Sequence, residues 1–430
     1  MRSERNWTHQ DVVDVIARRV GNMAARREKA WRWENWGVVP DEETQLALAA
    51  ELGVDRELVF SLGWPTWLPV GEHINVDSPW TLDGSLALLD HTAGAAVLDR
   101  RGFLVLGAGT AGTIAEQWLA VEQPRRVSAQ RNRRMDAELV TCFEQRLPAL
   151  RQMDATLGGG SVRNLVDAEL RLVTDLLAKS SYSQVIGRRM FAVAAELGGV
   201  AGWASFDAGY HAAAERYWVA ALRAAHTAGD RALGANILKS MSLQRVEADR
   251  SGEALTLARA AREGAGNAPA RVVAMLTVRE ARMHAVRGEA AECERLLMAA
   301  ERSMGKADEE PTPSWAAYFD QADYCAQVAA SYLLLRRHHA TDQWLAQSLA
   351  LQPDERSRDR ATYLMWRAEA ALNLGEVEQA CTLVGQALPD IAGTRSTRNR
   401  QRLTDLHTRL KRYRLPAVDA LGGRMAALVA

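Results

Sequence analysis

The stretch that decides the fold is FDAGYHAAAERYW, residues 206–218, in which a polar turn at Gly209 leads into a run of small residues with helical spacing. A turn of this kind, repeated along a chain, is typical of stacked helical hairpins that bury their apolar faces against one another. The same arrangement recurs at intervals of 40, 39, 49 and 38 residues, around Asp249, Gly288, Arg337 and Gly375.

From about residue 161 onward the apolar residues follow a helical period, and the two-residue alternation of strands is hard to find. Small residues such as Ala213, Ala254 and Ala380 begin the second helix of each pair, which suits close helix contacts. The spacing is longer than the period of about 34 residues usual in tetratricopeptide (TPR) repeats. We therefore expect an all-α protein whose C-terminal part is a TPR-like α-solenoid of helical hairpins.

Composition places few limits on function. The chain has 430 residues, 48% of them hydrophobic, and its 53 Lys and Arg balance its 53 Asp and Glu, so net charge favours neither nucleic acid nor membrane. The uncharged run from Phe103 to Ala115 is too short to span a bilayer, and the first residues lack a secretory apolar core. The four cysteines are far apart and predict buried free thiols. We expect a cytoplasmic protein without a membrane partner.

A glycine-rich motif raises the question of a nucleotide. Gly107, Gly109 and Gly112 form GxGxxG ahead of a predicted helix at 113–120. A dinucleotide site needs a second apolar strand after that helix, whereas a basic loop follows at 121–134. The motif is therefore interpreted as a tight turn, and no cofactor is predicted.

Other candidates for chemistry are equally weak. Gly158 to Gly160 before Ser161 could hold an anion on backbone amides, but a glycine C-cap followed by a serine N-cap is the favoured interpretation. The adjacent His338 and His339 begin a predicted helix and point to different sides, which argues against a metal pair. The sequence has no nucleophile elbow and no HExxH motif, so neither enzymatic activity nor a metal site is predicted.

The N-terminal residues predict three short helices. Thr8 opens the first with a T-x-x-D capping box, and its core face is predicted to be Val13, Ile16, Ala17 and Val20. The second helix would present a cluster of cationic side chains, and a third follows Pro40. In a helix-turn-helix the second of two such helices enters the DNA major groove. The second helix would expose Arg26, Arg27, Lys29 and Arg32.

Several segments carry a recognisable spacing: Trp33-Glu34, Pro40 six places after Glu34, and LALAAELGV ending at Val54. This pattern resembles the actinobacterial regulators that join an XRE-type helix-turn-helix to C-terminal TPR-like repeats. Further segments that look like the family extend the resemblance over most of the chain: DRRGFL (99–104), LGGGS (157–161), AGWASFDAGYHAAAERYW (201–218) and AAHTAGDRALGANIL (224–238).

The resemblance implies a DNA-binding transcription regulator that acts as a homodimer on double-stranded DNA, with Arg26, Arg27, Lys29 and Arg32 as the candidate DNA contacts. It implies three parts: a helix-turn-helix domain at 1–63, a Trp- and Pro-rich linker with a glycine-rich turn at 64–134, and TPR-like repeats at 135–430. The sequence departs from the family because the usual first helix before Thr8 is missing and because Trp36 stands where a glycine is expected. The alternative is therefore a protein-interaction scaffold with a relic helix-turn-helix domain.

A solenoid of hairpins presents its first helices on a concave side, which suits a peptide, small-molecule or protein effector. The polar and amphipathic residues on these helices are the predicted ligand-binding set: Asn236, Lys239, Gln244, Arg279, Tyr318, Gln321 and Tyr324.

Overall fold

The computed structural model is all-helical apart from two short strands. It describes residues 7–21, 26–35, 38–52, 54, 56, 59–60, 64, 78–95, 110–124, 127–129, 133–247 and 251–429. The chain divides into two compact units. The first comprises 1–74 with 97–106 and 210–212, and the second comprises 75–96, 107–209 and 213–430.

In the described part of the first unit, three helices have defined bounds, α1 (His9–Val20), α2 (Arg27–Asn35) and α3 (Glu42–Leu52), and α1 packs on both of the others. The predicted capping box at Thr8 is confirmed: the Asp11 amide donates to the Thr8 hydroxyl at 3.2 Å, and the Thr8 amide donates to the Asp11 carboxylate at 2.6 Å. These bonds satisfy amides that the first helical turn would otherwise leave without a partner.

The core of this unit forms from the buried face of each helix. Of the four residues predicted for α1, Val13 and Ile16 are fully buried, while Ala17 and Val20 are half-buried. Ala30 of α2 and Leu48 of α3 close the same core. Two tryptophans complete it at the edge: Trp33 packs against the cluster, and its ring meets that of Trp64 edge-on at 6.3 Å.

The second unit holds the remaining helices. Two two-residue strands, β1 (Arg133–Arg134) and β2 (Ser180–Ser181), pair in parallel beside them. The helices are α4 (Leu82–Ala95), α5 (Thr110–Ala120), α6 (Ala137–Leu157), α7 (Gly159–Lys179), α8 (Gln184–Asp207), α9 (His211–Ala228), α10 (Arg231–Glu247), α11 (Ser251–Gly264), α12 (Ala270–Val286), α13 (Ala290–Met304), α14 (Gln321–Leu334), α15 (His338–Leu351), α16 (Ser357–Asn373), α17 (Val377–Gly393), α18 (Thr397–Leu410) and α19 (Pro416–Val429).

Each predicted turn lies between the two helices of one hairpin. Gly209, Gly288 and Gly375 have φ values of 84°, 75° and 84°, in the left-handed region that glycine enters without strain. The turn predicted around Arg337 is also present. There the left-handed position is occupied by Arg336, with φ 59°, rather than by a glycine. The turn predicted at Asp249 lies outside the described residues. Successive helices thus pack as repeated hairpins, as the spacing predicted.

Within the described part of the second unit, six helices form a ring in which α6, α8, α10, α12, α14 and α16 each pack on the next. The ring closes because α16 returns to α6. Contacts between distant parts of the chain hold the closure: the Arg395 amide donates to the Leu157 carbonyl at 3.1 Å, and the Ser396 hydroxyl donates to Asp207 at 2.7 Å. The first helices of the hairpins therefore enclose a cavity rather than line an open groove.

The region 64–134, which the sequence presents as a linker, contains α4 and α5, and both pack on this unit: α4 on α7, and α5 on α11. Trp118 of α5 is fully buried. The Arg223 guanidinium stacks on Trp80 at 3.7 Å from the ring centroid, so this tryptophan of the 64–134 region is packed against α9.

The segment at 158–161 partly differs from the expectation. Gly158 caps α6 with φ 79°, as predicted. The prediction that Ser161 caps the next helix is wrong, because α7 begins at Gly159, whose amide donates to the Asp207 carboxylate of α8 at 3.3 Å. A side chain from another helix thus supplies the cap two residues earlier.

Two further expectations concern cysteines and membranes. Cys293, Cys325 and Cys381 are buried free thiols as predicted, whereas Cys142 is exposed on α6. Among the described helices, none is both long and apolar enough to cross a membrane.

Two glycines of α8 test how closely the hairpin helices approach. A Cβ at Gly202 would overlap the Trp218 indole of α9, whereas a Cβ at Gly199 would meet nothing within 4 Å. We expect Gly202→Ala to lower the free energy of unfolding by about 1–3 kcal/mol through overpacking. Gly199→Ala should raise it by about 0.5–1 kcal/mol, because alanine favours the helix. Urea unfolding of both variants checks this, and equal effects would contradict the close contact.

Candidate functional site

The ring encloses a cavity of about 220 Å³. Pockets that bind small molecules are concave and mostly apolar, with a few polar groups placed to fix orientation. The lining here combines aromatic rings with an unusual number of charged side chains, and every ring helix contributes to it. The charged lining residues are Arg151, Asp154, Glu196, Asp207, Lys239, Arg279, Arg282, Asp323, Arg356, Arg358, Asp359 and Arg398.

Most of the cavity arginines have a carboxylate partner. Arg151 of α6 contacts Glu196 of α8 at 2.5 Å. Arg398 of α18 contacts Glu247 at the end of α10 at 2.5 Å. Arg356 is likewise 2.8 Å from Asp320. A buried charge needs such a partner because its desolvation is costly. These carboxylates therefore explain how the three arginines are accommodated in the cavity.

A second pairing joins the two helices that close the ring. Arg358 of α16 contacts the carboxylate of Asp154 on α6, and its Nε lies 3.2 Å from Asp359. The guanidinium also lies 5.7 Å from the centroid of the Trp203 ring on α8. Arg358 is therefore engaged on three sides, and its main role is to fasten α16 to α6.

Three other cations have no such partner. Lys239, Arg279 and Arg282 are 6%, 7% and 9% exposed, and none has a carboxylate within 4 Å among the residues that the structure describes. Lys239 donates to the Tyr318 hydroxyl, and Arg282 makes one long contact of 3.4 Å to Gln327. The cavity therefore contains three buried cations that form no close ion pair within the described chain, although the carboxylate of Asp323 lies on the same cavity and favours the charged forms of Lys239 and Arg279. We call these three residues the cationic cluster.

The pKa values of the cationic cluster reflect this imbalance. Burial, and then the nearby Arg279, lowers the pKa of Lys239 to about 7, although Asp323 acts in the opposite direction. Burial lowers the pKa of Arg279, and burial together with Arg279 lowers that of Arg282 well below its ordinary value. Arginine stays protonated in proteins, so these shifts describe an unfavourable charged state rather than a neutral one.

An aromatic wall faces the cationic cluster. Trp203 of α8, Trp315 and Phe319 of the segment before α14, and Trp366 of α16 line the cavity. The Arg282 guanidinium lies 5.2 Å from the Trp366 ring centroid. Aromatic side chains supply large apolar contact areas that a bound organic molecule could cover.

The structure brings together four of the seven residues predicted to bind a ligand. Asn236, Lys239, Arg279 and Tyr318 line the cavity. The other three lie away from it. Gln244 is buried on α10, Gln321 is exposed at the start of α14, and Tyr324 is buried between the rings of Phe319 and Trp344.

Sequence reasoning missed one cavity residue that had a usable signal. Arg282 follows the predicted Arg279 by three residues, so the two share one helix face, and extending the helical spacing from Arg279 would have found Arg282. Trp203 lies on a helix for which the sequence predicted no site residue. Arg358 and Arg398 had no local signal because their partners are distant in sequence.

The candidate DNA-contacting surface lies on α2 of the first unit and on Arg26 immediately before it. Arg26, Arg27, Lys29 and Arg32 are all exposed, and the Arg27 side chain is 76% exposed. Ala30, in the middle of the same helix, is buried in the core. The helix therefore presents its cationic side chains outward from a packed core. We call these four residues the basic face of α2.

The glycine-rich motif is only partly visible. Gly107 and Gly109, with the turn predicted there, lie outside the described residues, and so does Trp36. Gly112 lies within α5, where a Cβ would meet only the Thr256 methyl at 3.9 Å. The helix predicted at 113–120 is present and begins earlier, at Thr110.

Comparison of this chain with protein-family models, with curated proteins and with solved structures found no match.

Proposed function

We propose that this chain is a DNA-binding transcription regulator of the XRE-type helix-turn-helix class, whose TPR-like repeat unit binds an effector in the cavity. The observation that carries the DNA-binding part is the basic face of α2, exposed on a three-helix core. A helix held in this way can enter the major groove, where arginine and lysine contact phosphates and guanine edges.

The proposal includes a homodimer. A single short module with four cationic side chains neutralises few phosphates, and affinity for DNA depends strongly on that number. Two copies on a two-fold-related site double the number of contacts. The expected partner is therefore double-stranded DNA bound by two subunits.

The effector acts through the repeat unit. A ligand that fits one arrangement of the ring better than another shifts the population of the two, by no more than its difference in affinity for them. That shift changes the spacing of the two DNA-binding units and hence the affinity for DNA. The cavity supports this step because its cationic cluster forms no close ion pair within the described chain.

The DNA-binding step predicts a clear effect of Arg26→Ala with Arg27→Ala. In a dimer the double variant removes four cationic contacts, so the salt slope of log affinity should fall by about 3–4. The affinity itself should fall roughly tenfold or more. Fluorescence anisotropy with a duplex selected from a random pool, titrated at several salt concentrations, measures both.

The matched control removes the same charge from the other unit. Arg302 and Lys306 are exposed near the end of α13, and their replacement by Ala should leave DNA affinity unchanged. Equal affinities and salt slopes for the wild type and for Arg26→Ala/Arg27→Ala would favour the second candidate. That candidate is a repeat-protein scaffold with a relic helix-turn-helix, and the extensive hairpin packing supports it.

A further inference from the structure

We infer that the cavity binds a small organic anion, with its carboxylate or phosphate held by the cationic cluster and its apolar body against the aromatic wall. This inference rests on the proposed function in that it names the chemical class of the effector. It concerns the repeat unit alone and can be tested without DNA.

The charge distribution in the cavity is the first argument. Arg151, Arg356, Arg358 and Arg398 each have a carboxylate within 4 Å. The cationic cluster lies in the same cavity and is more deeply buried than Arg151 and Arg356, yet it has no carboxylate within 4 Å among the described residues, and the carboxylate of Asp323 acts on it only from a greater distance. An unpaired buried charge is strongly destabilising, and an anion from outside the chain removes that cost.

The unsatisfied polar atoms point the same way. Arg279 Nη1 and Arg282 Nε are buried donors without an acceptor in the described part of the chain. Guanidinium groups bind carboxylate and phosphate through paired, charge-assisted hydrogen bonds. Asn236 Oδ1, also on the cavity, is a buried acceptor without a donor. The ligand therefore carries an anionic group and a hydrogen-bond donor such as a hydroxyl or an N–H.

The size and apolar lining favour a small organic molecule over two other occupants. An inorganic ion would satisfy the cationic cluster but would not cover the apolar part of the lining, which includes Trp203 and Trp315. An extended peptide is larger than the cavity of about 220 Å³. A small molecule with one anionic end and one apolar end satisfies both parts of the site.

The test uses isothermal titration of the full chain with a matched pair of probes. Indole-3-propionate and its neutral amide have the same ring and nearly the same shape, so they differ mainly in charge. We expect the acid to bind at least ~10-fold more tightly than the amide, a difference of about 1.4 kcal/mol or more. Inorganic phosphate should bind at least ~10-fold more weakly than the acid because it lacks the apolar body.

Variants assign the binding to the cationic cluster. Arg279→Gln should weaken binding of the acid about tenfold or more and leave binding of the amide unchanged. Arg282→Gln is a second variant with the same expectation, and the exposed Arg302→Gln is the matched control that should bind as the wild type does. Because each cavity variant removes an unpaired buried charge, its thermal midpoint should not fall.

Three results would overturn the inference: no measurable binding of the acid, equal binding of acid and amide, or full binding by both Arg279→Gln and Arg282→Gln. Phosphate binding as tight as that of the acid would also overturn it. If the acid binds as expected while no duplex is bound, the ligand class stands and the regulator proposal fails. If duplex DNA binds and the acid does not, the regulator proposal stands and the ligand class fails.

Discussion

Glu215→Ala should lower the free energy of unfolding by about 3–5 kcal/mol, the cost of leaving a buried charge unpaired. Glu215 on α9 and Arg245 on α10 have fully buried side chains, and their charged atoms are 2.5 Å apart. Among the described residues, removing the carboxylate leaves the Arg245 guanidinium with one ion-pair contact, to the carboxylate of Glu253 at 3.6 Å. Urea unfolding at pH 7, followed by helical circular dichroism, measures the change.

An exposed pair of similar geometry provides the control. Arg271 and Asp308 are 2.7 Å apart, but the Asp308 side chain is 95% exposed. Asp308→Ala should therefore cost less than about 1 kcal/mol. The double variant Glu215→Leu/Arg245→Met should recover most of the loss, since apolar replacement of a buried pair is often neutral. Equal losses in the free energy of unfolding for Glu215→Ala and Asp308→Ala would show that burial does not determine the cost of breaking the ion pair.

Lys239→Met should raise the free energy of unfolding by about 3–4 kcal/mol at pH 7, and it should abolish binding of the organic anion. Burial and the nearby Arg279 lower the pKa of Lys239 to about 7 from its ordinary 10.5, and the groups facing it are Tyr318, Asp323 and the Met275 sulfur. Methionine is similar in length and carries no charge, so it fills the same space without that cost.

The effect has a defined pH window. Below pH 7 the lysine is protonated in both states, and its full destabilising contribution is present. Between pH 7 and 10.5 the folded lysine loses its proton before the unfolded one, so wild-type stability gains about 1.4 kcal/mol per pH unit relative to the variant. The difference between wild type and Lys239→Met should thus shrink by about 3 kcal/mol from pH 7 to 9.5. A difference independent of pH would contradict the lowered pKa, and Lys306→Met, at an exposed position, is the control.

The hairpins could be predicted from sequence because their signals are local. Gly209, Gly288 and Gly375 each mark a turn whose φ only glycine adopts readily. Closure of the ring could not be predicted in this way. It depends on contacts such as Ser396 with Asp207, which are 189 residues apart and leave no periodic trace in the sequence. The sequence therefore predicted a curved row of helices and not a closed cavity.

The predicted ligand-binding set lies only partly on the cavity because sequence spacing gives the order of the helices but not their rotation. Choosing the first helix of each hairpin placed Asn236 and Lys239 on the cavity. The rotation of each helix about its axis was unknown, however. Gln244 follows Lys239 by five residues and so lies roughly 140° around the helix from it, away from the cavity. On α14 it is Asp323 and Gln327 that line the cavity, while the intervening Tyr324 packs outward between aromatic rings.

Ring closure also determines how the second unit can lose its structure. In an open array of repeats each hairpin contacts only its neighbours, so the terminal repeats fray first and unfolding spreads inward. Here the chain around Arg395 bonds to the end of α6, and α16 packs on α6, so the row has no free end. Local opening must break two interfaces instead of one. During synthesis, α6 can pack on α8 early but must wait for α16 before the ring can close, so we expect closure to be a late step in folding.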